Sequence, residues 1–270
     1  MISWWQKINV DKLQEGLNTK NFGKKIVFLC KVASTNDLAK NLVSYGADEG
    51  TVVLAESQFA GKGRLGRLWV SPEGGLYFSV ILKPKIKPAE AVGLIFVAGL
   101  AVVEVLRELY GLEVETKWPN DVLVNGRKVC GVLSEANVTG EKVNFVIVGV
   151  GVNVNFDVES KLPKALWEHA TSLMAEIGRR ISLDVLFKAL LEKLESFYEL
   201  FLKEGLAPIL DEWKKYAVFL GNFVEVVSED ESFTGLALDV KDNGSLAVKL
   251  KDGKVKHVFV GDVSMLQKQT

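Results

Sequence analysis

The sequence predicts an α+β fold, a mixed sheet flanked by helices with a small β-barrel at its C-terminal end. Three observations lead there. Strand-like runs outnumber the helices that a regular β-α-β alternation would need. Residues 91–103 carry no charge and continue an apolar pattern to Tyr110, which reads as one helix buried on all sides. From Gly221 the texture changes to short strands separated by Asp242-Asn243-Gly244 and Lys251-Asp252-Gly253. The expected division is a larger domain over residues 1–220 and a small one over 221–270.

The elements follow in order. Residues 1–25 are weakly patterned and read as a lead-in. Lys25 to Val32 is strand-like. Ser34-Thr35-Asn36-Asp37 then precedes Leu38, Ala39, Leu42 and Val43 at helical spacing, so Ser34 or Thr35 is a candidate N-cap. Thr51–Glu56 and Leu76–Leu82 read as strands on either side of a basic loop. Ala89 to Tyr110 is the buried helix, ended by Gly111. Val114–Lys117, Asp121–Val124 and Lys128–Glu135 read as strands, and Asn125-Gly126 marks a hairpin between the last two. Val143–Val152 is a further strand, and Ile181 to Tyr216 is mostly helix with a break near Gly205 and Pro208.

Bulk properties narrow the function. The chain has 270 residues, 48% apolar and 25% charged, with a net charge of −1. That balance argues against non-specific nucleic-acid binding. Two cysteines, Cys30 and Cys130, exclude a disulfide scaffold and suit a reducing compartment. The uncharged run is too short to span a bilayer, and the N-terminal residues lack the regions of a signal peptide. The expectation is a cytoplasmic protein without membrane or DNA contacts.

The candidate chemistry starts with residues 58–69, where Gly61, Gly63 and Gly66 interleave with Lys62, Arg64 and Arg67. Glycines let backbone N–H groups line a concave nest for an anion, and guanidinium groups add bidentate hydrogen bonds. Gly61 to Gly66 formally satisfies G-x-G-x-x-G, but turn chemistry and a strand follow instead of a helix, so the dinucleotide-binding context is absent. A P-loop fails because Gly63, not Ser or Thr, follows Lys62. Taken alone, the loop fits either an anion site or a solvated basic turn.

Lys117-Trp118-Pro119-Asn120-Asp121 mixes an indole, an amide and a carboxylate. An exposed Trp118 would stack on a base, Asn120 would read an adenine edge, and Asp121 would hold a hydrated Mg²⁺. The alternative is a turn with a core tryptophan. Strict alternation puts Lys128 on one face with Cys130 and Val132, so it either points inward or is an exposed hairpin lysine. Gly149 and Gly151 alternate in an apolar strand, which marks either close approach of a ligand or a bulge. His169 and His257 lack metal-ligand spacing and read as structural.

In their order and spacing, Ser34-Thr35-Asn36, Gln58 with Gly61–Trp69, Lys117–Asp121, Arg127-Lys128-Val129-Cys130-Gly131 and Gly149–Asn153 resemble the biotin–protein ligase family. With the C-terminal barrel, the resemblance covers about residues 25–270. It implies a class II synthetase-like, biotin–lipoate ligase-like domain with an SH3-like barrel. It also implies activation of biotin with ATP and Mg²⁺ to biotinoyl-AMP, then transfer to a lysine of a biotin carboxyl carrier domain, by a monomer or homodimer. By the resemblance, Ser34, Thr35, Asn36, Gln58, Gly61, Lys62, Gly63, Arg64, Lys128, Gly131, Gly149 and Gly151 would bind biotin. Arg64, Arg67, Trp69, Lys117, Asn120, Asp121, Lys128 and Asn153 would bind ATP, with Asp121 toward the metal. Lys128 and Arg64 would carry the catalysis. Lys62 stands where the family usually has arginine, and the two are not interchangeable at a bidentate site. About 25 residues precede the first strand, too few for the helix-turn-helix that some members carry. The alternatives are a lipoate or octanoate ligase or transferase, and a biotin-binding sensor without chemistry.

Overall fold

The computed structural model describes residues 10–228 and 231–266. A short helix α1 (Val10–Glu15) lies within the expected lead-in, whose first nine residues are outside the described ones. Then come β1 (Ile26–Val32), α2 (Thr35–Ser44), β2 (Val52–Gln58), β3 (Leu76–Leu82), α3 (Gly93–Tyr110), β4 (Val114–Lys117), β5 (Asp121–Val124), β6 (Arg127–Thr139) and β7 (Lys142–Val152). Four helices follow, α4 (Val158–Lys161), α5 (Leu173–Ile177), α6 (Leu183–Glu204) and α7 (Ala207–Lys214). The chain closes with β8 (Phe223–Val227), β9 (Ser232–Val240), β10 (Leu246–Lys249), β11 (Val255–Val258) and β12 (Asp262–Met265).

The first seven strands form one sheet in the order β1-β2-β3-β7-β6-β5-β4. Only β1 and β2, joined through α2, are parallel, so the sheet is mixed. Local chemistry accounts for its corners. Asn125 and Gly126 both take positive φ (51° and 70°), the geometry of a two-residue turn that matches strand twist. Ser34 caps α2, its side chain accepting from the Asp37 amide. Gly111 ends α3 in the left-handed region.

From Gly93 to Leu106 α3 is largely buried against the sheet, α6 and α7, with Phe96 meeting Trp213 edge-on at 5.2 Å, while its last turn exposes Arg107, Glu108 and Leu109. It is long and apolar enough to cross a membrane, but it is the core helix here.

The C-terminal strands form an antiparallel sheet in the order β11-β10-β9-β8-β12. This five-stranded sheet is consistent with the expected small SH3-like barrel; among the described residues β11 and β12 do not pair, so it is not closed. It shares the main core, through Val224, Val226, Leu246 and Val248.

Trp118 ties the two sheets together, and this corrects the stacking expectation. The side chain is 2% exposed and its Nε1 donates to the Gly244 carbonyl at 2.9 Å. No face is left for a base. Trp118→Ala should therefore lower unfolding stability by about 3–5 kcal/mol, measured by denaturant titration. A loss under about 1 kcal/mol would contradict this anchoring role.

Candidate functional site

Three strands supply a flat floor. Tyr77, Gly151 and Gly131 stand opposite one another across β3, β7 and β6, as do Ser79, Gly149 and Leu133 one step along. Cross-strand partners share a face, so three glycines lie on one side of the sheet. Other elements settle onto them. A Cβ on Gly149 would come 2.1 Å from Asn36 Oδ1, and one on Gly151 2.4 Å from Trp69 Nε1. The first turn of α2 and the glycine-rich loop thus roof a cavity of about 270 Å³.

One end of the cavity is neutral and polar. The Thr35 amide donates to Gln58 Oε1 at 2.8 Å, and Gln58 Nε2 donates to Ser71 Oγ at 2.8 Å. Ser79 Oγ lies 2.7 Å from Thr35 Oγ1 and 2.6 Å from Asn36 Oδ1. Ser34, Thr35 and Asn36 are all buried because they open α2 directly above the floor.

The other end is charged. Lys128 Nζ lies 2.6 Å from Asp121 Oδ1 and 5.1 Å from the centre of the Trp69 ring. Its backbone is clamped: the Lys128 N–H donates to the His169 carbonyl, and the Thr171 N–H donates to the Lys128 carbonyl. A bulge in β5–β6 puts Gly131, not Cys130, beside Lys128, which corrects the strict alternation expected for this strand. Cys130 is buried in the core, where burial pushes its thiol pKa up.

The basic loop reaches across to the second sheet. Arg64 donates to Asn120 Oδ1 and to the Gly261 carbonyl, both at 3.3 Å, while Arg67 pairs with Asp262. Burial pulls the Arg64 pKa below its ordinary value, with Asp262 and Asp121 opposing the shift. A desolvated guanidinium held by two long neutral contacts is a ready partner for an anion. Lys62 is paired with Asp37 at 2.8 Å, which raises its pKa. The indole N–H of Trp69 is buried without an acceptor among the described residues.

Sequence models of two families match the chain. The biotin/lipoate A/B protein ligase family matches residues 28–153, and the biotin protein ligase C-terminal domain matches residues 219–266. The bifunctional ligase/repressor BirA of Bacillus subtilis is 33% identical over 260 residues, which cover 96% of this chain and 79% of that protein. The chain belongs to the biotin/lipoate A/B protein ligase family. Biotin--[acetyl-CoA-carboxylase] ligase of Paracoccus denitrificans is 32% identical over 84% of the chain and 95% of its own length. The biotin protein ligase of Aquifex aeolicus, solved in complex with biotin and ATP, has a TM-score of 0.76 and 29% identity, covering 91% of this chain and 100% of that one.

Set in this ligase fold, most of the residues singled out in the sequence converge. Ser34, Thr35, Asn36, Gln58, Lys62, Gly63, Arg64, Arg67, Trp69, Asn120, Asp121, Lys128, Gly131, Gly149, Gly151 and Asn153 all line the cavity. Gly61 and Lys117 do not. Gly61 lies behind the loop, where a Cβ would come 2.4 Å from the Trp69 carbonyl. Lys117 ends β4 at the sheet edge, paired in register with Asp121. Asn120 is already committed, its Nδ2 donating to the Val132 carbonyl and its Oδ1 accepting from Arg64. Asn153 Nδ2 donates to the Thr171 carbonyl at 2.9 Å.

The sequence reading missed one wall of the cavity, made by Leu162, Leu166, His169 and Ala170, and the contribution of Asp262 from β12. Ser79 was also missed, though a serine in the otherwise apolar and aromatic strand Leu76–Leu82 was a usable signal. Among the described residues no group of three or more His, Cys, Asp and Glu side chains gathers to hold a metal. A magnesium ion bound mainly through phosphates needs only one or two protein carboxylates; Asp121 and Asp262 line the cavity, each paired with a cation.

Proposed function

We propose that this protein activates biotin with MgATP to biotinoyl-5′-AMP and transfers the biotinoyl group to a lysine of a biotin carboxyl carrier domain. The observation that carries the reading is one cavity whose neutral hydrogen-bonding end adjoins a charged end holding Lys128, Arg64 and Arg67. A carboxylate is a poor electrophile, so the first step joins it to a phosphate. A biotin carboxylate oxygen attacks the α-phosphorus of ATP, the bond to the β-phosphate oxygen breaks, and pyrophosphate leaves. The carrier lysine then attacks the carbonyl carbon, an amide forms and AMP departs.

Each end has its part. Ser34, Thr35, Asn36 and Gln58 offer the bicyclic ring donors and acceptors. Lys128 meets the carboxylate and the α-phosphate together, easing the repulsion of two anions and stabilising charge that grows in the transition state. Arg64 binds the same phosphate, and Arg67, held by Asp262, faces the leaving pyrophosphate. Leu162, Leu166 and His169 form a wall for the nucleoside. The roof also keeps water from the acyl-adenylate. We further assign catalysis to residues 1–220, with residues 221–270 bracing the basic loop through Gly261 and Asp262, and place the protein in the cytoplasm as a monomer or homodimer.

Incubation with MgATP and a carrier domain tests this. Biotin should become covalently attached to the carrier; labelling by lipoate but not biotin would overturn the reading. Arg64→Ala should release biotinoyl-AMP at least about tenfold faster, the loss of one charge-assisted contact. An unaltered dissociation rate would remove Arg64 from the roof.

A further inference from the structure

Asn36 is 4% exposed, and both ends of its amide are bonded. Its Oδ1 accepts from Ser79 Oγ at 2.6 Å, and its Nδ2 donates to Glu135 Oε2 at 2.8 Å. An amide turned end for end keeps its shape and exchanges donor for acceptor, so its neighbours decide which end faces the cavity. For Gln58 the backbone decides, because the Thr35 N–H can only donate.

For Asn36 two acceptors hold Nδ2, the Leu133 carbonyl at 3.4 Å and, closer and charged, Glu135 at 2.8 Å, so the carboxylate is the stronger of the two. A carboxylate accepts and does not donate, so it takes Nδ2 and leaves the carbonyl oxygen over Gly149. Glu135 is itself held in place. Lys40 Nζ lies 2.5 Å from Glu135 Oε1 and 3.7 Å from Asp37, and Asp37 pairs with Lys62 of the glycine-rich loop. These four charges alternate in sign from β6 across α2 to the glycine-rich loop.

We propose that Glu135, held by Lys40, is a positioning residue that fixes the carbonyl oxygen of Asn36 toward the ligand and so selects a substrate ring that carries N–H donors. The inference rests on the biotin-ligase reading above. Biotin's ureido ring carries such donors; the dithiolane of lipoate does not.

The test exploits Lys40, whose ammonium has donors only. In Glu135→Gln, Lys40 should draw the new amide's oxygen and turn its NH₂ toward Asn36. Asn36 then has to turn over and present NH₂ to the ligand. The KM for biotin should rise about ten- to thirtyfold, the effect of facing two donors. The KM for ATP, and kcat at saturating biotin, should stay within about twofold. Adding Lys40→Met frees the amide oxygen to accept from Asn36, and the biotin KM should return to within about threefold of the parent.

A purely structural role for the pair predicts a double variant no better than the single one, and that result would overturn the inference. So would an unchanged biotin KM in Glu135→Gln. The side-chain amide resonances of Asn36, followed by NMR without substrate, should shift in Glu135→Gln and return in the double variant. If the parent shows no biotin-dependent activity, the ligase reading fails, while unmoved Asn36 resonances overturn this inference separately.

Discussion

Lys128→Ala should slow biotin-dependent pyrophosphate release by about 10²–10³-fold, or roughly 2.7–4 kcal/mol, the range for loss of one preorganised charge donor. Three features make this lysine hard to replace. Its backbone is hydrogen-bonded on both sides to the 169–171 segment, so the side chain leaves a fixed point. Its amine is held between Asp121 and the Trp69 ring. Its removal would also strand the Asp121 carboxylate, whose side chain is 19% exposed, beside the proposed phosphate position. The loss should appear mainly in the chemical step, because the charge it stabilises grows there. Single-turnover pyrophosphate release is the direct measurement. An unchanged rate would take Lys128 out of the mechanism.

Gly149→Ala should weaken biotin binding by at least about a hundredfold and lower stability by about 1–3 kcal/mol, as overpacking does. The added Cβ would lie 2.1 Å from Asn36 Oδ1 and 2.9 Å from Cγ. Asn36 has no easy escape, being bonded to Ser79 and Glu135 and fixed in the first turn of α2. The floor and roof of the polar end must therefore part. At Gly63 the same addition meets nothing nearer than 3.4 Å, so the crowding at Gly149 is not shared by every glycine of the site. Biotin titration by calorimetry, with thermal unfolding alongside, checks both effects. Binding within about threefold of the parent would show that the floor tolerates a methyl group.

What could be read from the sequence was what local chemistry decides. The apolar run to Tyr110 became the core helix α3, Asn125-Gly126 became the hairpin, and the alternation of Gly149 and Gly151 marked a surface that Asn36 and Trp69 approach closely. What could not be read depends on distant parts of the chain. The residues around Trp118 fit a core tryptophan better than a stacking ring, but only Gly244, accepting its N–H from the second sheet, decides between them. The bulge beside Lys128 follows from how β5 and β6 pair, not from either strand alone. The wall from Leu162 to Ala170 has little periodicity of its own and is held in part by backbone bonds to Lys128. Asp262 reaches the cavity only because the second sheet packs against the first core.

Biotin-dependent ATP–pyrophosphate exchange, run with Mg²⁺ on the parent and on Lys128→Ala, bears most directly on the claim that this cavity adenylates biotin. Exchange in the parent that needs biotin and falls by about two orders of magnitude or more in the variant is the predicted result. A parent that binds biotin yet exchanges nothing, or exchange that persists undiminished in Lys128→Ala, would contradict it.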